Sequence, residues 1–325
     1  MKKNLCTLSI LLGLSSFQLI AAEATSNTFQ HDANVNFGTH SEDFGDGIWS
    51  LDYRFYFTPV DAQKGPYALA GFLAQHSNIG AMVAQPNAYN NTTMYAIDGT
   101  YVLPSNWFIG ANYRYTDVDN EWDNIITTES DNKGYGATIG YHFNEASEVA
   151  FIYHNNGSSG WNSGKWPQEI TVADDHDETL YGAHIRTFIA MQSFSGLDLK
   201  ASYNRIERQG EYISTLNNLT NSSYNYESTS NQLNLTADWY INPAWSVGGS
   251  YLWHDFDGSS HSTYNNTSYE SNRGSSDNIF ALSTSYWWQI SDTFAAKFSA
   301  AKQFGLNNDS GDDGILIGIS ANARF

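Results

Sequence analysis

Ile315-Leu316-Ile317-Gly318-Ile319-Ser320-Ala321-Asn322-Ala323-Arg324-Phe325 is the stretch that decides the fold. Read at period two, one face is Ile315, Ile317, Ile319, Ala321, Ala323 and Phe325. The other is Leu316, Gly318, Ser320, Asn322 and Arg324, and it turns polar toward the end. Successive strand side chains point to opposite sides, so this is a strand with one apolar face and one mostly polar face. A soluble domain rarely closes on an exposed terminal aromatic.

The same alternation recurs upstream. Trp49, Leu51, Tyr53, Phe55 and Phe57 oppose Ser50, Asp52, Arg54 and Tyr56, and Trp107, Ile109, Ala111, Tyr113 and Tyr115 oppose Asn112, Arg114 and Thr116. Tyr135 to Phe143, Leu233 to Trp239 and Trp245 to Trp253 repeat it. Tight turns at 103–106, 144–147, 241–244 and 289–292 alternate with long polar segments at 118–132, 155–177, 209–227, 257–276 and 305–314. Short turns on one side and long loops on the other are the pattern of a transmembrane antiparallel β-barrel. Strands near 33–40, 47–57, 75–85, 92–102, 107–117, 133–143, 148–154, 178–188, 197–208, 228–240, 245–256, 277–288, 293–304 and 315–325 make about 14, with 12 and 16 as the alternatives. The third strand is the least defined, because Tyr67 to Ala74 also fits a helical turn. An even count puts both termini on the periplasmic side. Trp107, Trp239, Trp245, Trp287 and Trp288 flank the short turns, where a girdle at the membrane interface belongs, and Trp253 lies near the opposite end of its strand.

Composition agrees. The mean hydropathy of −0.44 argues against helical spans and is compatible with alternating strands, which average out. Residues 1–24 read as a signal peptide: Lys2 and Lys3, an apolar core from Leu8 to Ile20, and Ala22-Glu23-Ala24 as the cleavage site. Residues 25–325 are then the barrel, with 13 basic and 33 acidic side chains and no cysteine, since Cys6 lies in the leader. So acidic a chain is a poor partner for nucleic acid, and it can form neither a disulfide nor a reactive thiolate.

The terminal strand resembles the last strand of bacterial outer-membrane barrels, whose final Phe, here Phe325, is part of the signal read by the barrel-assembly machinery. The segment Thr58-Pro59-Val60-Asp-Ala-Gln-Lys-Gly65-Pro66-Tyr-Ala68-Leu-Ala70-Gly-Phe72-Leu73 resembles an early signature, P-V-x4-G-P-x-A-x-A-x-F-L, of the putative general porin family of Gram-negative bacteria. That resemblance implies a passive barrel in the cell outer membrane, in contact with lipid and lipopolysaccharide, that passes small hydrophilic solutes and ions. General porins are often trimers, so a homotrimer is one arrangement it implies.

Charged residues on the inward face would set selectivity: Asp52, Arg54, Asp98, Arg114, His142, Arg186, Lys200, Asp238, Lys297 and Arg324. They could equally solvate the lumen and pair across strands. The acidic excess falls in the long segments, at Asp117, Asp119, Glu121, Asp123, Glu129, Asp131, Asp174, Asp175, Asp177, Glu178, Asp309, Asp312 and Asp313, which suggests an acidic mouth and a weak cation preference. The longest segment, 155–177, carries Gly157, Gly160 and Gly164 and is the one expected to fold inward. The clusters at 174–178 and 307–314 offer oxygens for Ca²⁺ or Mg²⁺ but lack the twelve-residue calcium-loop pattern, so no metal or cofactor is expected. A barrel enzyme with a rim His/Asp site is the chief rival, drawing on His154, His176, His184, His254 and His261. The dyad His254-Asp255 is the most suggestive, yet neighbours in a strand face opposite ways, and no G-x-S-x-G or H-E-x-x-H motif is present. No catalytic residue is assigned. A third class is a saccharide-binding surface barrel that stacks sugars on Trp122, Trp161, Trp166, Tyr224, Tyr226, Tyr264 and Tyr269. Too few residues precede the first strand to supply an N-terminal plug.

Overall fold

The computed structural model describes residues 28–87, 91–122, 126–165, 169–191, 196–216, 219–264, 267–305 and 314–325. The proposed leader and the 306–313 part of the last polar segment lie outside them. The chain forms β1 (Thr28–His40), β2 (Asp43–Asp61), β3 (Asn78–Pro86), β4 (Asn91–Val102), β5 (Trp107–Trp122), β6 (Ile126–Asn144) and β7 (Ser147–Lys165). It continues as β8 (Glu169–Ala190), β9 (Gly196–Leu216), β10 (Leu219–Asn242), β11 (Trp245–Tyr264), β12 (Thr267–Gln289), β13 (Phe294–Gly305) and β14 (Leu316–Arg324). Each strand pairs antiparallel with its sequence neighbours, and β1 pairs with β14, so the sheet closes on itself. No helix among the described residues is long and apolar enough to cross a membrane.

The closing seam runs in unbroken register from Asp32↔Arg324 to His40↔Leu316. At its turn end the Phe325 carbonyl accepts hydrogen bonds from the Gln30 and His31 amides at 2.9 and 2.8 Å, and the Phe325 ring stacks on His31. Closure satisfies the backbone groups that an edge strand would expose, which a sheet in lipid requires.

Period two sorts the side chains. Trp49, Tyr53, Ile109, Tyr113, Ile139, Ile185 and Ile319 face outward and are exposed, as a lipid-facing band must be. The tight turns cluster at one end, where Trp107, Trp239, Trp245 and Trp288 also point outward. Trp287 does not join them. It is only 8% exposed and faces the lumen beneath the Arg324 guanidinium, because adjacent residues of one strand cannot share a face.

The described parts of the long polar segments at 118–132, 155–177, 209–227 and 257–276 continue the strands as antiparallel pairs, with β8, β10 and β12 reaching 22, 24 and 23 residues. The inward fold expected of 155–177 is therefore corrected. Its described residues belong to strands paired in unbroken register, β7 with β8 from Ser147↔Thr187 to Lys165↔Glu169 and with β6 from Glu148↔His142 to Gly164↔Ile126, and that pairing holds them in the wall.

Among the described residues the short-turn side has one exception. Between β2 and β3 the chain makes a 3-10 turn (Tyr67–Leu69) and a one-turn helix, α1 (Ala70–Ala74), in the place where the sequence left strand and helix undecided. Pro66 presets the entry, and Gln75 ends the helix in the left-handed region at φ 52°. The register predicts a clean split between faces. Ile139→Arg, on the lipid side, should lose about 2–4 kcal/mol of unfolding free energy in lipid vesicles. Thr138→Arg, one residue away on the lumen side, should lose less than half of that in the same titration.

Candidate functional site

Fourteen strands about 4.8 Å apart, tilted by about 40°, enclose a backbone circle roughly 28 Å across. Side chains alone cannot fill that width. The lumen is narrowed instead by the β2–β3 segment, which lies inside the barrel at the turn end and reaches opposite walls.

Its apolar side is buried. Leu69 and Leu73 are 2% and 3% exposed and pack on Phe188 of β8 and Tyr240 of β10, with Ala68, Phe72 and Ala146 around them. Ala70 packs with Phe29, Tyr56 and Val60 against β1 and β2. Gly71 is required by this contact, since a Cβ there would stand 2.2 Å from the Tyr56 hydroxyl. Burying Leu69 and Leu73 contributes about 1.5–3 kcal/mol each.

Polar contacts fix the rest. The Tyr67 amide donates to the Pro243 carbonyl at 3.0 Å, and Gln75 Nε2 donates to the Asn144 carbonyl at 2.7 Å, tying the segment to two other turns. Lys64 Nζ bridges the Leu73 carbonyl and Glu145, both at 3.1 Å. Two wall arginines support it. The Arg324 Nη1 donates to the Tyr67 carbonyl at 2.9 Å while its guanidinium pairs with Asp32 and lies between the Phe29 and Trp287 rings. The Arg186 guanidinium makes a two-pronged pair with Asp198 and lies 4.2 Å from the centre of the Phe72 ring.

These contacts fix which face is inside, and the register then places the sequence-derived charges. Asp52, Arg54, Asp98, Arg114, His142, Arg186, Lys200, Asp238, Lys297 and Arg324 all share the strand phase opposite the exposed aromatic band. The wall brings several of them together in pairs. Arg54 reaches Asp98 at 2.9 and 3.0 Å across the intervening strand β3. Arg186 and Arg324 are paired as above, with Asp198 and Asp32, two acids the sequence reading did not place. Asp198 could have been found from its lumen-facing phase one residue pair from Lys200; Asp32 fell just before the expected start of the first strand. Asp52 accepts hydrogen bonds from Asn36 and Ser50. Glu148, also unplaced, sits between His184 at 3.1 Å and His142 at 3.6 Å.

The acidic long segments divide. Asp174 and Glu178 face inward, where Glu178 accepts from Asn156 and pairs with Arg208 at 2.6 Å. Asp175, Asp177, Asp255 and Asp257 take the opposite phase, on the outer wall above the aromatic band, as do Asp117 and Asp131. Most of the acids described there do not line the mouth.

The histidines named for a rim site fall on β7, β8 and β11. His254 faces inward and bonds Ser230 Oγ at 2.7 Å, while Asp255 points the other way. Ser230 is 1% exposed. His176 stacks on Tyr226 and bonds its hydroxyl. His261 lies on the outer face 3.8 Å from Glu270. Among the described residues no His, Cys, Asp or Glu group is arranged to hold a metal. Of the loop aromatics, Tyr224, Tyr226, Tyr264 and Tyr269 take lumen-facing positions. The side chains of Trp122 and Trp161, and all of Trp166, lie outside the described residues.

A closed antiparallel barrel with a lipid-facing aromatic band and a charged interior defines a bacterial outer-membrane protein. The profile of the family described as "putative general bacterial porin" matches residues 1–323, and the chain belongs to that family. Its fold is similar to that of the outer membrane protein Omp33 of Acinetobacter baumannii, with 16% identity and a TM-score of 0.51 over 92% of this chain and 100% of that one. The translocator domain of the autotransporter NalP from Neisseria meningitidis is a more distant structural match, 10% identical over 98% of each chain with a TM-score of 0.38. The ferric citrate transporter FecA matches at 7% identity and a TM-score of 0.49, over 85% of this chain and 44% of its own. A search of curated protein sequences finds no match. The protein is thus an outer-membrane β-barrel of a porin family, in contact with membrane lipid and with small solutes.

The Arg54–Asp98 bridge depends on Gly80 between them, where a Cβ would stand 2.8 Å from the guanidinium and 2.9 Å from the carboxylate. Gly80→Val should separate the pair and lose about 1–3 kcal/mol to overpacking in a denaturant titration. Arg54→Ala should lose less than about 1 kcal/mol, because the bridge is partly exposed.

Proposed function

We propose that the protein is a passive diffusion channel for small hydrophilic solutes and ions. The observation that carries this reading is the closed wall whose interior is lined with cross-strand pairs of charged and polar side chains. Such an interior holds water and offers no single high-affinity site. Its charges largely neutralise one another, as in Arg54 with Asp98, Arg186 with Asp198, Arg324 with Asp32 and Arg208 with Glu178. Selectivity is accordingly weak. The acidic wall above the band biases it toward cations through long-range potential, and salt screens that bias.

Residues 1–24 are read as the export signal, and Phe325 as a contact for the assembly machinery. Acids on the outer wall suit divalent bridging to lipopolysaccharide. A trimer is kept as the family-derived arrangement. Saccharide binding on the lumen-facing tyrosines is the second reading, supported by Tyr224 and Tyr269, which are exposed above the aromatic band.

In a planar bilayer the refolded protein should give ohmic steps with a small cation-favouring reversal potential at about 0.1 M salt that vanishes near 1 M, as the Debye length falls from about 10 to 3 Å. A folded barrel with no conductance would count against the channel. Phe325→Ala should slow assembly in cells while leaving the conductance of the refolded protein unchanged, which comparison of membrane-inserted and unfolded fractions would show.

A further inference from the structure

We propose that the β2–β3 segment, residues 62–77, is the size filter of this channel, and that Arg186 and Arg324 are the positioning residues that seat it. The inference rests on the channel reading above and goes beyond it by locating where permeation is limited.

As far as the described residues go, the long-side hairpins stay in the wall and one element, the β2–β3 segment, crosses the interior. That element is docked on opposite parts of the ring. It touches β1 and β2 through Phe29, Tyr56 and Val60, β8 through Phe188 and Arg186, β10 through Tyr240, and β14 through Arg324. Solutes must pass between this segment and the wall, whatever the width of the barrel above it.

The docking is largely apolar, with Leu69 and Leu73 almost wholly removed from water. A segment so held stays seated, and it acts as a fixed constriction. The arginines contribute direction. Each is fixed by its own carboxylate, Asp198 or Asp32, and presents a flat guanidinium to the segment or its neighbours. A lysine would keep the charge but lose both the paired hydrogen bonds and the planar stacking surface. Because both arginines are neutralised by their partners, the filter discriminates by size and leaves charge selectivity nearly untouched.

The barrel strands do not depend on this segment for their pairing, so the wall should survive its release. The test compares wild type with Leu69→Asp/Leu73→Asp, which makes the docked face intolerable to its pocket. Readouts are single-channel conductance, reversal potential, and swelling of protein-loaded vesicles in neutral sugars of increasing size. The expected result is a several-fold rise in conductance and entry of sugars that wild type excludes, and in the variants below that add no charge the reversal potential should stay where wild type has it. Phe72→Ala is the milder variant should the double aspartate fail to insert, and it should give a smaller change of the same sign. Arg186→Lys/Arg324→Lys should raise conductance in the same direction although every lumen charge is retained. A charge filter would leave the lysine variant at the wild-type size limit. Conductance and size limit unchanged in all folded variants, beside a conducting wild type, would overturn the filter and leave the channel standing. No conductance from any of them would overturn both.

Discussion

Closure of β1 on β14 is the constraint on which everything else depends. A sheet in hydrocarbon cannot leave an edge, because each unpaired amide or carbonyl costs several kcal/mol there. The seam from Asp32↔Arg324 to His40↔Leu316 removes the edge, and the Phe325 carbonyl extends the pairing to the last residue. Once closed, strand number sets circumference, and circumference sets a lumen too wide for side chains to span. Filling it needs backbone, which the β2–β3 segment supplies.

The seam and the filter are joined at one residue. Arg324 lies in the final strand, pairs with Asp32 of the first, and hands a hydrogen bond to the Tyr67 carbonyl of the inner segment. Ring closure and lumen narrowing therefore share a contact. Arg186 repeats the arrangement across the barrel, with Asp198 as its carboxylate and Phe72 as its ring.

The wall was legible in the sequence wherever one face meets lipid. Between Trp49 and Phe57, or Trp107 and Thr116, the apolar phase is dictated by the solvent on one side and reads directly as a strand. Above the membrane both faces meet water, so Asn155 to Lys165 or Leu219 to Tyr226 lose their alternation and look like loops while pairing as strands. The inner segment left a trace that the strand template could not use: after Gly65-Pro66, Ala68, Leu69, Ala70, Phe72 and Leu73 are apolar without alternating, as a buried turn of helix would be. Phase alone put the charged residues on one face of the wall. It did not give their partners, because a bridge such as Arg54–Asp98 skips a strand and depends on a glycine in the strand between.

That skipping has a mechanical side. At Gly80 a guanidinium and a carboxylate meet over β3, and at Gly210 the His176 and Tyr226 rings meet over β9. Each bridge braces a strand against the next-but-one, in addition to the backbone ladder that binds it to its neighbour. A hoop braced twice resists being squeezed into an oval, so its cross-section stays round under lateral pressure from the bilayer.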